Sequence, residues 1–585
     1  MKTNELKEEI ISEIKKAFEK SFSKSLEKVE LEFPPSVTLG DFAVAFFRES
    51  KELKISPAEI AKVVADNFEK PEWLEKVEPA GPYLNIKVKN NILFETVLSE
   101  VNEKPEKYGN SNSGKNQKVM VEYLSPNTNK PLHLGHARNG ALGMAVANIL
   151  ETTGHNVIKG ILVNDRGVHI CKSMLAWKKW GNNETPESAK MKGDHFIGKW
   201  YVRYAVEVEK NPELEKEVQE MLQKWEAGDA ETLKLWKTMN EWVYAGFQET
   251  YEKFGLKFDE FFHESETYKL GKDIIEAGLR KNVFRRDENG AVVFDLPESE
   301  FGKDEQGENK KTTVLRADGT SVYITQDLGT AVTRAEKFKL DKMIYVVGNE
   351  QNFHFQVLFK ILQSLGYAFT KNLHHLSYAM VNLPDGKMKS REGKVVDTDN
   401  LILEVEKIVA EEVGKRDAKI SEEEKKERAK IIAVGAIKFY LLRVKPSQSI
   451  AFDPKESVAI DGFTGPYCQY AYARISGIIR NLKDSDFQGE IDFSLLGNLD
   501  ERTLLKRITK FPEEIEKAAL ELNPLRVVTS VYETAQAFNL FYNNNKVLDP
   551  ENEKLSIARL ELAKATAVVL KRGLNILGIE TLERM

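Results

Sequence analysis

A chain of 585 residues is too long to close around one hydrophobic core, so roughly two to four domains are expected. Its composition, 41% apolar and 30% charged, is that of an ordinary globular protein, and a net charge of -6 argues against a general polyanion binder while leaving room for a basic face. Two cysteines, Cys171 and Cys468, lie far apart without ligand-like spacing, which excludes a disulfide framework and a structural zinc site and suits a reducing compartment.

Leu6, Ile10, Ile14, Phe18 and Phe22 recur at helical spacing between lysines and glutamates, so the first segment reads as a packed amphipathic helix rather than a cleaved leader. Pro34 and Pro35 break the chain, "SPAEIAKVVADNF" reads as a second helix, and "YLNIKVK" from Tyr83 alternates like a strand. The polar, glycine-bearing stretch "YGNSNSGKNQK" reads as a linker, with a new domain beginning near Lys118.

From Val119, "VMVEYLS" reads as a strand, "ARNGALGMAVANILETTG" as a helix and "VIKGILV" as a second strand. Such a βαβ unit implies a parallel sheet whose ligands bind at the carboxyl ends of the strands. A helical insertion from Trp177 to Leu256 follows, then sheet-like material at "GAVVFDL" and "TTVLRADGTSVYITQDLG", and strands "KMIYVVGNE" and "LSYAMVNL". Beyond Leu401 the pattern is almost wholly helical, and no run anywhere reaches the roughly 20 apolar residues of a membrane span.

Between the first strand and helix lies "SPNTNKPLHLGHARNG", residues Ser125 to Gly140. His133 and His136 would flank a helix start, where free N–H groups and the helix dipole favour an anion such as a nucleotide phosphate. A zinc site is the weaker reading, because no third ligand is evident; two ordinary surface histidines remain the bland one. Downstream, "LPDGKMKSREGKVV" carries Lys387, Lys389 and Arg391 on a glycine-flanked loop that suits a polyphosphate, although any exposed basic turn looks the same.

Together, "HLGH" and "KMKSR" resemble the paired signature of class I aminoacyl-tRNA synthetases. The flanking "VEYLSPNTNKPLHLGHARN", "VNDRGVHICKSM", "DGTSVYITQDLG", "VGNEQNFHF", "TGPYCQYAYARI" and terminal "ERM" resemble the arginyl-tRNA synthetase family over essentially the whole chain. The resemblance implies a Rossmann-like α/β catalytic domain at 116–400 with a helical insertion at about 175–290. It also implies an α+β tRNA-elbow domain at 1–115 and an all-α stem and anticodon-binding domain at 401–585.

The implied reaction is ATP-dependent activation of L-arginine to arginyl-adenylate and transfer to the 2′-hydroxyl of the terminal adenosine of tRNA(Arg), with bound tRNA needed for activation. In that family the histidine pair stabilises charge on the phosphate in the transition state. His133, Gly135, His136, His354, Lys387, Met388, Lys389 and Arg391 would accordingly bind ATP. The loop departs from the commonest KMSKS order, so Lys130, just before the proline of the histidine motif, is expected to replace the second loop lysine. Magnesium should accompany ATP, with no resident metal site.

A guanidinium substrate calls for carboxylates and planar acceptors. Glu122 interrupts an apolar strand, a costly place for a charge unless a cation meets it, whether substrate or an internal partner. Tyr323 and Asp327, four apart, would share one helical face. By resemblance Tyr323, Asp327 and Gln351 hold the arginine side chain, with Glu122 added on its place in the strand, while Ser125 and Asn127 hold the α-amino and carboxylate ends; Asn164 and Asp165 are further candidates for the pocket wall. For tRNA, Tyr467, Tyr470 and Arg474 would form a stacking face, an arrangement that ordinary helix packing also produces. The resemblance adds Tyr542 and Met585, and Tyr83 with Asn85 in the N-terminal unit. A cytoplasmic monomer is expected.

Overall fold

The structure is a computed structural model describing residues 2–305, 307–382, 384, 396–416, 420–482 and 489–585. The N-terminal unit runs α1 (Thr3–Phe22), β1 (Phe42–Ala45), α2 (Pro57–Asp66), β2 (Leu74–Ala80), β3 (Tyr83–Val88) and α3 (Asn90–Glu103). Leu6, Ile10, Ile14 and Phe18 are buried, so the stripe read in the sequence is the face α1 packs inward. Ser56 caps α2 by accepting from the Glu59 N–H, and Pro57 opens the helix where its missing N–H costs nothing. The three strands form an antiparallel sheet in the order β1-β3-β2.

The segment expected to be a linker is instead docked. Tyr108 is buried, donates to the Ile508 carbonyl and stacks on Phe511, while Ser111 and Gly114 donate to carbonyls at the end of the helix that follows the next strand. Polar composition there reflects backbone groups that need partners, not freedom of movement.

The central domain continues with β4 (Lys118–Glu122), α4 (Leu134–Thr152) and β5 (Asn156–Val163). The insertion comprises α5 (Val168–Trp180), α6 (Gly193–Lys210), α7 (Leu214–Glu226) and α8 (Ala230–Phe254), and ends in β6 (Glu260–His263). A small antiparallel sheet, β7 (Arg285–Arg286), β8 (Val292–Asp295) and β9 (Lys311–Leu315), precedes α9 (Tyr323–Phe338), β10 (Lys342–Gly348), α10 (Asn352–Ser364) and β11 (Leu373–Tyr378).

The main sheet has the order β11-β10-β4-β5-β6, with every pair parallel. Strand β6 escapes sequence reading because four residues are too few to set a period. The expected strand "LSYAMVNL" splits: β11 ends at Tyr378, Ala379 donates to Pro446, and β12 (Val381–Asn382) pairs instead with β13 (Ile450–Ala451). Arg138 of α4 enforces the break, since its buried guanidinium donates to the carbonyls of Ala379 and Gln448 at 2.8 and 2.7 Å.

Helices α11 (Thr398–Arg416), α12 (Glu422–Leu442), α13 (Gly465–Arg480), α14 (Leu499–Glu521), α15 (Leu525–Asn544) and α16 (Glu553–Ile576) complete the chain. Their core is continuous with that of the N-terminal unit and of one face of the main sheet. A buried pair, Arg502 with Asp41, joins α14 to the N-terminal unit. Among the described residues no helix is long and apolar enough to cross a membrane.

Candidate active site

In this strand order the chain leaves β4 for β5 and β6 on one side, then crosses to β10 and β11 on the other, so the order in which strands are added reverses between β4 and β10 while the strands stay parallel. A crevice for ligands opens at the carboxyl ends of two such strands. The loop after β4 enters it through two successive non-glycine residues with left-handed backbone, Leu124 (φ 79) and Ser125 (φ 41), a conformation that persists only where neighbours enforce it. Asn139 supplies that constraint: its Oδ1 accepts from the Leu124 N–H at 2.6 Å, while its Nδ2 donates to Val346 of β10 at 2.8 Å and to the Tyr378 hydroxyl of β11 at 3.2 Å. Asn164, at the end of β5, donates to the Ser125 carbonyl at 3.1 Å. Ser125 is half-buried and Asn127 exposed at this rim. Sequence reading left Asn139 without a role, although an asparagine inside a helix facing a strand end is a usable signal.

His133 is the N-cap of α4 and His136 its third residue, and the two close a capping box. The Gly135 N–H donates to His133 Nδ1 and the His133 N–H donates to His136 Nδ1, both at 3.1 Å. With each Nδ1 committed as an acceptor, each neutral ring carries its proton on Nε2. Burial and the nearby Lys130 charge push the His133 pKa down to about 4; burial, His133 and Lys130 push His136 well below its ordinary value. Both rings are therefore neutral donors at physiological pH. Gly135 is required here, because a β-carbon would come within 2.9 Å of the His133 ring. Burial also lowers the Lys130 pKa. Lys387, Met388, Lys389 and Arg391 lie outside the described residues.

On the other side of the crevice, Tyr323 and Asp327 occupy the first two turns of α9, and Tyr323 is 76% exposed. His354, expected on the nucleotide side, donates from Nε2 to the Asp327 carboxylate at 2.6 Å. Gln351 is exposed just beyond β10. Glu264, which sequence reading missed, follows β6; burial first, then the fields of Asp165 and Asp327, push its pKa up to about 7 against the pull of Arg166. An acid directly after a sheet strand was the signal, hidden because β6 itself went unread.

One expectation changes. Glu122 is met by the chain's own Arg334, which pairs with it in the interior and lies 4.1 Å from the Phe262 ring centroid, so the cation it needs is already present. Arg334 stands seven residues after Asp327 on α9, two turns along the same face, which brings it over β4. Asp165 also acts as a tether: its carboxylate accepts from Tyr244 of α8 and from both the N–H and the hydroxyl of Ser265, each at 2.8 Å, and its carbonyl accepts from Trp236 at 2.6 Å.

In the C-terminal helices, the Arg474 guanidinium lies 4.8 Å from the Tyr470 ring centroid and 5.0 Å from that of Tyr542, and donates to Asn539 at 2.6 Å. Tyr467 turns away to pack on Tyr532, and Met585 packs on the helical core. In the N-terminal unit Tyr83 meets the exposed Phe47 edge-on, whereas Asn85 is buried.

Residues 97–453 match the family model described as tRNA synthetases class I (R), catalytic domain, so fold and sequence together define a class I tRNA synthetase, a ligase of the kind that activates its amino acid with ATP. Residues 468–585 match the DALR anticodon binding domain, and residues 4–88 match the Arginyl tRNA synthetase N terminal domain. The chain belongs to the arginyl-tRNA synthetase family. It is 43% identical to the arginine–tRNA ligase of Treponema denticola over 96% of this chain and 95% of that protein, and 41% identical to that of Borrelia hermsii over 99% and 98%. The arginyl-tRNA synthetase of Thermus thermophilus superposes with a TM-score of 0.82 at 26% identity, covering 99% of this chain and 100% of that one.

Proposed function

We propose that the crevice between β4 and β10 joins arginine to tRNA(Arg) through an adenylate, with ATP beside the histidine turn and arginine against α9. The arginine carboxylate attacks the α-phosphorus, a bond forms between them, and the bond to the β-phosphate oxygen breaks to release pyrophosphate. Charge gathered on the phosphate oxygens meets the Nε2–H groups of His133 and His136 and the free N–H groups of α4. Lys130 and Lys387 clamp the phosphates, Gly135 and Met388 line the ATP site, and Lys389 and Arg391 assist; magnesium enters as the ion of the ATP complex. Asp327, with Tyr323, Gln351 and Glu264 around it, receives the guanidinium, and Ser125 and Asn127 receive the α-amino and carboxylate groups. The 2′-hydroxyl of the terminal adenosine then attacks the activated carbonyl, and AMP leaves.

The observation that carries this reading is the shared capping box, which fixes both imidazoles as neutral Nε2 donors at the point where the strand order reverses. The unit at 1–115, through Tyr83 and Phe47, supports the tRNA elbow, and the helices of 401–585, through Tyr470, Arg474 and Tyr542, take unstacked anticodon bases. The enzyme works as a cytoplasmic monomer and needs bound tRNA before it activates arginine. Aminoacylation of total tRNA with each amino acid in turn tests the assignment, with arginine the expected substrate. Asp327→Ala should raise KM for arginine about ten- to a hundredfold, the loss of one charged hydrogen-bond partner. Preference for another amino acid, or an unchanged KM in that variant, would remove substrate or pocket respectively. Brisk ATP–pyrophosphate exchange without tRNA would remove the tRNA requirement.

A further inference from the structure

A second polar cluster lies directly behind the histidine turn. Lys192, the N-cap of α6, points its ammonium at Asp399 (2.6 Å), Asp194 (3.2 Å) and the Thr250 hydroxyl of α8. His195 Nε2 donates to the same Asp399 carboxylate at 3.0 Å, and Lys253 approaches it to 3.9 Å. Asp399 belongs to the first turn of α11 and is buried, as is Asp194. The ligand atoms of Asp194, His195 and Asp399 lie within 4.8 Å of one another, as a divalent ion would need, but the Lys192 ammonium already sits against both carboxylates.

The strip carrying Asp399 also holds the histidine turn. The Leu134 N–H donates to the Val396 carbonyl (3.2 Å), the Thr398 N–H donates to the Leu132 carbonyl (2.8 Å), and His133 and Asp397 pair as an antiparallel bridge. Residues 132–134, which set both the cap and the orientation of the His133 ring, are thus laced along 396–398 like a short strand. Helix α6 closes on the same loop from the other side: at Gly198 a β-carbon would come within 2.8 Å of Pro131. The chain of contacts runs from α6 and α8 of the insertion, through Asp399, to the backbone of the histidine motif.

We infer that Lys192, His195 and Asp399 are positioning residues for the ATP step: they clasp the start of α11 to the helical insertion and so fix the backbone register that aims His133 at the nucleotide. The inference rests on the proposed ATP site at His133 and His136. None of the three touches the reacting atoms; each acts through strip 396–398. Asp397 and Asp399 at the start of α11 face His195 directly and Asp194 of α6 adds its field, while Lys192 at the start of α6 and Thr250 and Lys253 of α8 face the same carboxylates. The Asp399 hydrogen bond above all, and then the surrounding carboxylates, raise the His195 pKa against the effect of burial. The clasp is accordingly complete below the ordinary histidine value and loses one charge as pH climbs through the raised one.

The test is ATP–pyrophosphate exchange with tRNA present, comparing Asp399→Asn, His195→Leu and His195→Gln, each checked for a native circular dichroism spectrum. Asp399→Asn and His195→Leu should raise KM for ATP about tenfold while KM for arginine stays within about twofold, as expected when a charged hydrogen bond is lost on one side only of the crevice. His195→Gln, which keeps a donor to Asp399, should restore the neutral-pH KM and flatten its alkaline rise. His195→Leu retains the Lys192–Asp399 pair and so covers the case in which Asp399→Asn does not fold. A folded Asp399→Asn or His195→Leu enzyme with unchanged KM for ATP, or with both KM values rising together, overturns the clasp. His136→Ala run alongside separates the two readings: if it too leaves exchange intact, the ATP site itself is misplaced, whereas a large loss beside an inert Asp399→Asn condemns the clasp alone.

Discussion

Two histidine environments lie on either side of one strip of chain, residues 396–399, and they have opposite charge. His133 and His136 sit in a helix cap where burial and the Lys130 ammonium drive protons off. His195, across the strip, faces Asp194, Asp397 and Asp399, which hold its proton on. The same side chain serves as a neutral donor in the first place and as half of an ion pair in the second. The difference lies in what surrounds the ring: backbone N–H groups and a lysine in one case, three carboxylates in the other.

The largest effect should come from breaking the neutral pair. Replacing His136 by alanine removes a preorganised donor to the developing phosphate charge, and kcat for arginylation should fall about a hundred- to thousandfold. Because the rings are neutral over the working range, the deficit should be the same in the weakly acidic and the weakly alkaline assay. A deficit confined to low pH would mean that the imidazolium is the active form, and the contrast with His195 would vanish.

A smaller effect sharpens the contrast through stability. His133 has a folded pKa of about 4 against an ordinary value of 6.5, so the unfolded chain binds more protons between those limits and stability falls as pH drops through them. The loss should be on the order of 1–3 kcal/mol, complete near the lower value. Denaturant titrations at a series of pH values should show this acid limb in the wild type. His133→Asn should make it shallower without abolishing it, since asparagine caps a helix well but does not titrate, while His136, held down mainly by its own burial, still does.

How far these sites can be read from the sequence follows the range of the contacts that build them. The capping box is local: His133, Gly135 and His136 lie within four residues, and the strand–loop–helix around them is legible from period and punctuation. Tyr323 and Asp327 are legible for the same reason, being one turn apart. The clasp joins residues 207 positions apart, Lys192 and Asp399, and each looks like an ordinary charged residue near a helix start. Glu122 and Arg334 are 212 apart, so an interrupted apolar strand announces that a cation comes to it without saying whose. Glu264 is illegible for the same reason as β6, and the docked segment around Tyr108 reads as a linker because its partners, Ile508 and Phe511, belong to the far end of the chain.

The smallest effect concerns the clasp itself, and its sign is the reverse of the one at His133. The folded pKa of His195 is raised, so the stability it contributes is full below the ordinary value of 6.5 and is lost as pH rises through the folded value. Asp399 stays ionised throughout: although burial alone would raise its pKa, hydrogen bonds from His195 and Lys192 hold it well below the usual carboxylate range. Of this hydrogen-bonded pair, the histidine is therefore the member that titrates here. Since the ring is partly open to solvent and Lys192 remains to neutralise Asp399, the alkaline loss should be about 1 kcal/mol or less. Wild type minus His195→Gln, measured by the same titrations, should isolate it as a shallow decline on the alkaline side, with the acid limb of His133 unchanged. A difference that instead grew on the acid side would mean that His195 is neutral in the fold, and the two histidine environments would no longer be opposites.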